Sequence, residues 1–192
     1  MTVDDPIALF ASLFERAAAE HPEPDAMVLS TVDPDGRPSA RFVLLKGVDA
    51  RGFVFYTNLE SRKAKALAAH PHAALTVYWP PQTQVRVEGR VERVTDAEAD
   101  AYFATRPRGS QLGAWASAQS TELAGRAELD DRVREVEGRF AGVTVPRPPF
   151  WSGYRVIPSM IEFWTRDVSR LHERVVFHRE ADAAWTRALL YP

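Results

Sequence analysis

The sequence predicts a mainly β fold, an antiparallel barrel with helices at its periphery. Short runs rich in β-branched and aromatic residues follow one another along the chain, with turn-forming residues between them. Helical stretches are inserted into this series at intervals and do not alternate with every strand, which disfavours a parallel α/β sheet. A length of 192 residues suits one domain, so we expect residues 1–192 to fold as a single unit.

The N-terminal segment is predicted to form a helix within residues 1–20. Asp5 stands directly before Pro6, which gives an N-cap residue followed by proline at the first helical position. Apolar residues at positions 9, 10, 13, 14 and 17 repeat at helical spacing. The apolar face of this helix should therefore pack against the barrel.

Three β-rich runs come next and are separated by turn-forming segments, a pattern that predicts adjacent antiparallel strands. These runs are residues 26–32, 39–48 and 53–57. A short helix is expected at residues 61–69, where His70 and Pro71 end it.

The middle of the chain contains the clearest alternating strand. A strand at 73–78 precedes the Pro80-Pro81 loop, and residues 84–94 then place three valines and a glycine on one face with charged residues on the other. Thr95 and Glu98 have the spacing of a capping box before a helix at 99–105. That helix should end at Arg106-Pro107.

The last third of the chain is predicted to contain one peripheral helix and four short strands. The helix covers residues 127–140 and ends before a proline-rich connection. The strands cover residues 154–157, 160–164, 175–178 and 185–190.

Composition excludes several classes of function. With 24 Lys+Arg against 26 Asp+Glu, the net charge of -2 removes the general attraction that a nucleic-acid binder needs. The absence of cysteine excludes disulfides, thiolate metal sites and a cysteine nucleophile, so any redox chemistry must come from a bound cofactor. We predict no metal site, no signal peptide and no membrane span, and we expect a cytoplasmic protein.

Two clusters of basic residues stand where a phosphate could bind. At residues 56–63 a strand runs into a helix whose first turn offers backbone N–H groups, a hydroxyl and the cations Arg62 and Lys63. Tyr102 and Arg106 lie one helical turn apart, and Ser110 follows just after Pro107. The alternatives are a solvated first helical turn in the one case and an ordinary helix end in the other.

Two further clusters combine cations with aromatic residues. In residues 41–46, alternation places Arg41 and Lys46 on opposite faces of a strand, and solvent exposure of both is the simpler interpretation. After Trp164, an extended segment would place Arg170, His172 and Arg174 on one side, facing an anionic or electron-rich partner. A charged edge strand is the alternative.

These clusters together resemble one family. The motifs R-F-V-L-L-K (41–46), F-Y-T-N-L-E-S-R-K (55–63), Y-F-A-T-R-P-R-G-S-Q-L-G-A-W-A-S-A-Q-S (102–120), and E-F-W followed by R-L-H-E-R (162–174) are similar to those of pyridoxine/pyridoxamine 5'-phosphate oxidases. The resemblance implies an antiparallel split β-barrel homodimer with flavin mononucleotide (FMN) at the subunit interface. It also implies oxidation of pyridoxine or pyridoxamine 5'-phosphate to pyridoxal 5'-phosphate by hydride transfer from C4' to flavin N5, with O2 as acceptor and H2O2 released.

The resemblance also implies roles for individual residues. FMN contacts are expected from Arg41, Val43, Leu44, Lys46, Tyr56, Thr57, Arg62, Lys63, Gln84, Gln119, Ser120, Trp164 and Arg174. The substrate phosphate would be held by Lys46, Tyr102, Arg106 and Ser110. Arg170 and His172 would lie over the pyridine ring as catalytic residues that orient the substrate and assist loss of its proton.

Two other functions remain open at this stage. One is a flavin oxidase of the same fold that acts on a phenazine precursor, although a substrate without phosphate would leave the charges of the Arg106 cluster unpaired. The other is a non-catalytic protein that binds flavin or pyridoxal phosphate, against which the presence of both Arg170 and His172 argues.

Overall fold

The computed structural model describes residues 5–181 and 184–192. Its strands are β1 Ala26–Val32, β2 Pro38–Leu44, β3 Gly47–Asp49, β4 Gly52–Asn58, β5 His72–Trp79, β6 Thr83–Arg93, β7 Trp151–Thr165, β8 Glu173–Arg179 and β9 Trp185–Leu190. Its helices are α1 Pro6–Glu20, α2 Arg62–Ala69, α3 Asp96–Thr105, α4 Arg108–Ala116 and α5 Arg126–Arg139. Within the described residues, none of these helices is long and apolar enough to cross a membrane.

All strand pairs are antiparallel, and the strands form one curled sheet in the order β2-β1-β5-β6-β7-β4-β3. The long strand β7 organises it. One edge of β7 pairs with β6 along almost its whole length, whereas β4 takes the first half of the other edge and β8 takes the second half. This arrangement confirms the predicted mainly β fold with helices around an antiparallel half-barrel.

The core lies between the sheet and α1. Phe10 of α1 is buried and meets the Phe53 ring edge-on, with ring centroids 4.9 Å apart, and it also packs against Trp79. Burial of one such aromatic side chain contributes about 2–3 kcal/mol. The predicted alternation in β6 is confirmed, because Val85 and Val87 are buried on the face toward this core.

Helix ends follow the predicted chemistry. The Asp5 carboxylate accepts hydrogen bonds from the backbone N–H groups of Ile7 and Ala8, so α1 begins at Pro6 as expected. Thr95 and Glu98 form the predicted capping box of α3. A second apolar cluster, formed by Phe103, Leu112, Phe140, Val145 and Trp151, joins α3, α4 and α5 to the start of β7.

Two strand predictions are wrong in their boundaries. The predicted strand 39–48 is interrupted at Leu45 and Lys46, because the Leu45 N–H donates to Asp25 O while the Lys46 N–H donates to Val54 O, a different neighbour. The predicted strands 154–157 and 160–164 are one strand, β7. It continues through Pro158 because the ladder with β6 shifts at Gly89, where a Cβ would stand 2.0 Å from the Ile157 carbonyl oxygen.

Helix α4 is absent from the sequence prediction. Pro107 ends α3 as expected, but it also begins the next helix: its carbonyl accepts the N–H groups of Ser110 and Gln111. Proline fits at the start of a helix because the first N–H groups have no partner there. Ser110 therefore lies on a helix and not in a loop.

Candidate functional site

A cavity of about 450 Å³ opens where β2, β4, α3 and α4 meet, a size that suits a small organic ligand. Many of the predicted site residues line it: Val43, Leu44, Lys46, Tyr56, Thr57, Lys63, Tyr102, Arg106, Ser110 and Gln119. Sequence reasoning did not select six further lining residues: Phe42, Asn58, Gly113, Ala114, Ser117 and Trp151.

Helix α4 contributes a face of small residues to the cavity. Ser110, Gly113, Ala114 and Ser117 are spaced as neighbours on one side of a helix, and all of them line the cavity. Short side chains leave room for a ligand next to the helix. The signal was present in the sequence as this spacing, but it has meaning only once α4 is recognised.

One part of the cavity carries Lys63 at the start of α2. Its Nζ donates to Thr57 Oγ1 at 3.1 Å and to Gln119 Oε1 at 3.4 Å. Burial lowers the pKa of Lys63, and the nearby Arg41 lowers it further. Within residues 5–181 and 184–192 no carboxylate pairs with Lys63, and the first turn of α2 holds no acidic residue. A partly buried cation at a helix N-terminus is a place for an anion such as phosphate.

Arg41 and Arg62 lie beside this part of the site but do not line the cavity. Arg41 donates through Nη1 to Leu29 O at 2.9 Å and to Thr31 Oγ1 at 2.8 Å. Burial lowers the pKa of Arg41, and Arg62 adds to the effect. Arg62 is 64% exposed and pairs with Asp33 at 3.3 Å. Of the two cations at the start of α2, Lys63 is therefore better placed than Arg62 to bind an anion in the cavity.

Arg106 stands in an aromatic setting elsewhere in the cavity. The rings of Tyr56, Tyr102 and Trp151 are nearly parallel, with 4.0 Å between the centroids of Tyr56 and Tyr102. Gly153 makes room for this arrangement, since a Cβ there would lie 2.8 Å from the Tyr56 ring. The Arg106 guanidinium lies 4.9 Å from the Trp151 ring centroid, a cation–π contact.

The Arg106 guanidinium has an unsatisfied donor. Its Nη1 is buried and has no hydrogen-bond partner among the described residues. Burial lowers the pKa of Arg106, because the charged form loses hydration. A buried donor of this kind costs free energy until an acceptor arrives. The geometry therefore suits an anionic oxygen beside Arg106, with Tyr102, Ser110 and Lys46 lining the same cavity.

An ion-pair network fixes α3, which carries Tyr102. Arg155, only 3% exposed, donates to Asp49 at 2.7 Å and to Glu98 at 2.9 Å, and Glu98 also pairs with Arg51. The Tyr56 hydroxyl donates to the Glu98 carbonyl at 3.4 Å, which connects the network to the aromatic rings. Hydrogen bonds from the Thr95 backbone and then from Arg51 hold the pKa of Glu98 at about 2.

Glu98→Gln is expected to lower the free energy of unfolding by about 1–2 kcal/mol at pH 7, since the group is partly exposed and its ion pairs are screened. A carboxyl whose folded pKa lies near 2, against an ordinary 4.5, stabilises the fold fully above pH 4.5 and loses that contribution as pH falls toward 2. The gap between wild type and variant should therefore shrink across this window in denaturant titrations. The exposed Glu137→Gln on α5 is the matched control, and a gap independent of pH would contradict the assignment.

The remaining predicted residues, apart from Ser120, form a second group near the C-terminal end of β7. Gln84, Trp164 and Arg174 are directly paired across β6, β7 and β8. The His172 ring packs against Trp164 with centroids 4.5 Å apart, and its Nδ1 accepts the Asp167 N–H at 3.1 Å. In the neutral ring the proton is then on Nε2, which can donate to a ligand.

The interpretation of residues 170–174 as one extended segment is wrong at Arg170. Its φ of 63° and the bond from its N–H to Asp167 O place it in a turn before β8. Strain of this kind in a non-glycine residue is often found at functional sites. Ser120, also outside the residues that line the cavity, has a φ of 74°.

The two groups occupy opposite ends of β7. Trp151 lines the cavity, whereas Trp164 lies 13 positions later, about 40 Å along an extended strand. None of Gln84, Trp164, Arg170, His172 and Arg174 lines the cavity. The predicted site residues therefore fall into two separate groups on one chain.

Comparisons with known proteins identify the family. A family model described as pyridoxamine 5'-phosphate oxidase matches residues 13–140. The chain belongs to the pyridoxamine 5'-phosphate oxidase family. A second model, described as the pyridoxine 5'-phosphate oxidase C-terminal dimerisation region, matches residues 151–192. Family membership confirms the resemblance that the sequence motifs indicated, and with it the prediction that the chain is an oxidoreductase of this family.

Relatives in the pyridoxamine 5'-phosphate oxidase family cover nearly the whole chain. The pyridoxine/pyridoxamine 5'-phosphate oxidase of Myxococcus xanthus strain DK1622 is 64% identical over 194 residues, which cover 100% of this chain and 94% of that protein. The enzyme of the same name from Azorhizobium caulinodans is 57% identical, with coverage of 98% of this chain and 91% of that protein.

Solved structures support the same fold. PhzG from Burkholderia lata 383, crystallised with tetrahydrophenazine-1-carboxylic acid, superposes with a TM-score of 0.93 at 32% identity and covers 100% of this chain and 94% of its own. A pyridoxamine 5'-phosphate oxidase-related FMN-binding protein from Nostoc punctiforme has a TM-score of 0.79 at 16% identity, with full coverage of both chains, and shows likeness of fold alone.

Proposed function

We propose that this chain catalyses the FMN-dependent oxidation of pyridoxine 5'-phosphate or pyridoxamine 5'-phosphate to pyridoxal 5'-phosphate, with O2 as acceptor and H2O2 released. One observation carries the proposal: a single cavity holds two partly buried cations, Lys63 and Arg106, with no carboxylate partner among the described residues. A phosphorylated cofactor and a phosphorylated substrate together supply two such anions. The cytoplasmic location expected from the sequence stays a prediction.

FMN fits the donors around the start of α2. Lys63, Thr57 and Gln119 present an ammonium, a hydroxyl and an amide toward the cavity, and Arg41 and Arg62 add positive charge beside them. These residues would hold the FMN phosphate, and Val43 and Leu44 would contact the rest of the cofactor. FMN supplies, when bound, the acceptor for a hydride from C4' of the substrate and the route for its electrons to O2.

The substrate phosphate is assigned to the Arg106 part of the cavity. Arg106 donates its unpaired Nη1 hydrogen to a phosphate oxygen, and Tyr102, Ser110 and Lys46 provide a phenol, a hydroxyl and an ammonium. The Trp151 ring packs against the guanidinium and helps to hold it in place. The phosphate fixes the pyridine ring relative to the cofactor, which provides the orientation that the reaction needs.

Arg170 and His172 act from a second copy of the chain. They lie at the far end of β7 from the cavity, in the segment that matches the family's dimerisation region. A homodimer in which each cavity is completed by the partner's Trp164, Arg170, His172 and Arg174 brings the two groups together. Oxidation removes a hydride from C4' and a proton from the attached oxygen or nitrogen, and His172 and Arg170 orient that group. The alcohol gives the aldehyde directly, whereas the amine gives an imine that water hydrolyses to the aldehyde with release of ammonia.

A flavin oxidase that acts on a phenazine precursor is the second candidate, favoured by the superposition with PhzG. The compound bound in that crystal structure, tetrahydrophenazine-1-carboxylic acid, carries a carboxylate and no phosphate. The four polar residues at the Arg106 part of the cavity and the 64% identity to a pyridoxine/pyridoxamine 5'-phosphate oxidase favour the phosphorylated vitamers.

The purified protein should be yellow and should form pyridoxal 5'-phosphate and H2O2 in air from either phosphorylated vitamer. Unphosphorylated pyridoxine at the same concentration is the matched control, and we expect at least a hundredfold lower kcat/KM, because Arg106 is left without an acceptor. Bound flavin without turnover of either phosphorylated vitamer would overturn the oxidase proposal and leave the phenazine-type or non-catalytic function.

A further inference from the structure

Lys46 differs from the other two cavity cations in having a carboxylate partner. Its Nζ lies 2.6 Å from Asp25 Oδ2, and the two side chains are 26% and 25% exposed. Lys46 is also one of the residues assigned to the substrate phosphate. Asp25 thus already occupies a donor that the phosphate would use.

The position of Asp25 is fixed by backbone contacts and not by its carboxylate. Its carbonyl accepts the Leu45 N–H at 2.8 Å, and the preceding Pro24 carbonyl accepts the Trp79 indole N–H at 2.9 Å. On the other side, the Lys46 N–H donates to Val54 O at 2.8 Å. The two side chains are therefore held opposite each other, and removal of the Asp25 charge leaves these backbone contacts in place.

We propose that Asp25 sets the affinity of the site for phosphate by holding Lys46. The inference rests on the proposed function. Two positive charges, those of Lys46 and Arg106, face this part of the cavity, and Asp25 neutralises the charge of Lys46. A phosphate dianion that takes a hydrogen bond from Lys46 must draw its ammonium away from Asp25, and the cost of breaking that ion pair weakens phosphate binding. Asp25 is a positioning residue that lets the phosphorylated product leave.

Asp25→Asn tests this directly. We expect the KM for pyridoxine 5'-phosphate and the inhibition constant of pyridoxal 5'-phosphate to fall about three- to tenfold, and inorganic phosphate to become a tighter competitive inhibitor by a similar factor. Glu23→Gln is the matched control, because it removes the same charge from an exposed side chain two residues earlier. Asp25→Ser, which removes the charge with a smaller side chain, must give the same tightening.

A double-mutant cycle separates this role from a structural one. In a Lys46→Gln background, Asp25→Asn should no longer change phosphate inhibition, since the residue acts through Lys46. Tightening that persists in that background, or a KM that is unchanged or raised in Asp25→Asn, would overturn the inference. Failure of the wild-type enzyme to bind or oxidise the phosphorylated vitamer would instead overturn the proposed function, so the two failures are distinguishable.

Discussion

Arg106→Ala is expected to raise the KM for pyridoxine 5'-phosphate about a hundredfold and to leave FMN affinity within about twofold of wild type. The guanidinium is buried against Trp151 and has an unpaired Nη1, so its hydrogen bond to phosphate is charge-assisted and shielded from water. Loss of such a bond costs about 3 kcal/mol, which corresponds to a factor near one hundred. Steady-state kinetics and titration of the apoprotein with FMN measure the two effects separately.

Lys63→Met is the matched contrast to Arg106→Ala. It removes the cation at the start of α2 while keeping much of the side-chain volume, so FMN affinity should fall about thirtyfold and the KM of the FMN-saturated enzyme should change little. Arg62→Ala should weaken FMN binding less, because Arg62 is largely exposed and already paired with Asp33. If each substitution weakened both ligands equally, the division of the cavity into two phosphate sites would be wrong.

Local signals in the sequence were sufficient for most of the secondary structure. The N-cap Asp5 and the capping box at Thr95 act within one helical turn, and the alternation in β6 reports burial directly, so these features could be predicted. The break at Lys46 could not be predicted, because it depends on hydrogen bonds to two distant segments, at Asp25 and Val54. Helix α4 was missed because Pro107 both ends one helix and begins the next.

The sequence allowed us to predict the cations of the candidate site, but not the residues that surround them. Charged residues in motif positions are visible in a sequence, but the partners that set their chemistry come from far along the chain. Trp151 lies 45 positions after Arg106, and Asp25 lies 21 positions before Lys46. Neither separation corresponds to a helical or strand repeat, so no sequence pattern indicates these contacts. The sequence also left open how the residues near Trp164 relate to the cavity, which depends on the full length of β7.

Mixing two inactive variants is expected to restore activity. In the proposed dimer, Arg106→Ala damages the cavity of its own chain, and Arg170→Ala damages the group beyond β7 that would complete the partner's cavity. In a mixed dimer one site receives both damaged halves, and the other receives both intact halves. Random reassociation of equal amounts should therefore give about one quarter of wild-type activity, from parents that each have little activity at substrate concentrations below the wild-type KM.

The matched control is a mixture of Arg106→Ala with Lys63→Met, which damage the same cavity, assayed at an FMN concentration too low to load the Lys63→Met parent. Each site of their mixed dimer has one damaged cavity, so activity should stay at the parental level. The mixing measurement, made by unfolding and refolding the two chains together and assaying pyridoxal 5'-phosphate formation, tests directly whether one working site is built from two chains. Recovery to about one quarter of wild type is the predicted result. Activity that stays at the parental level for Arg106→Ala with Arg170→Ala, while both variants still form dimers, would contradict it.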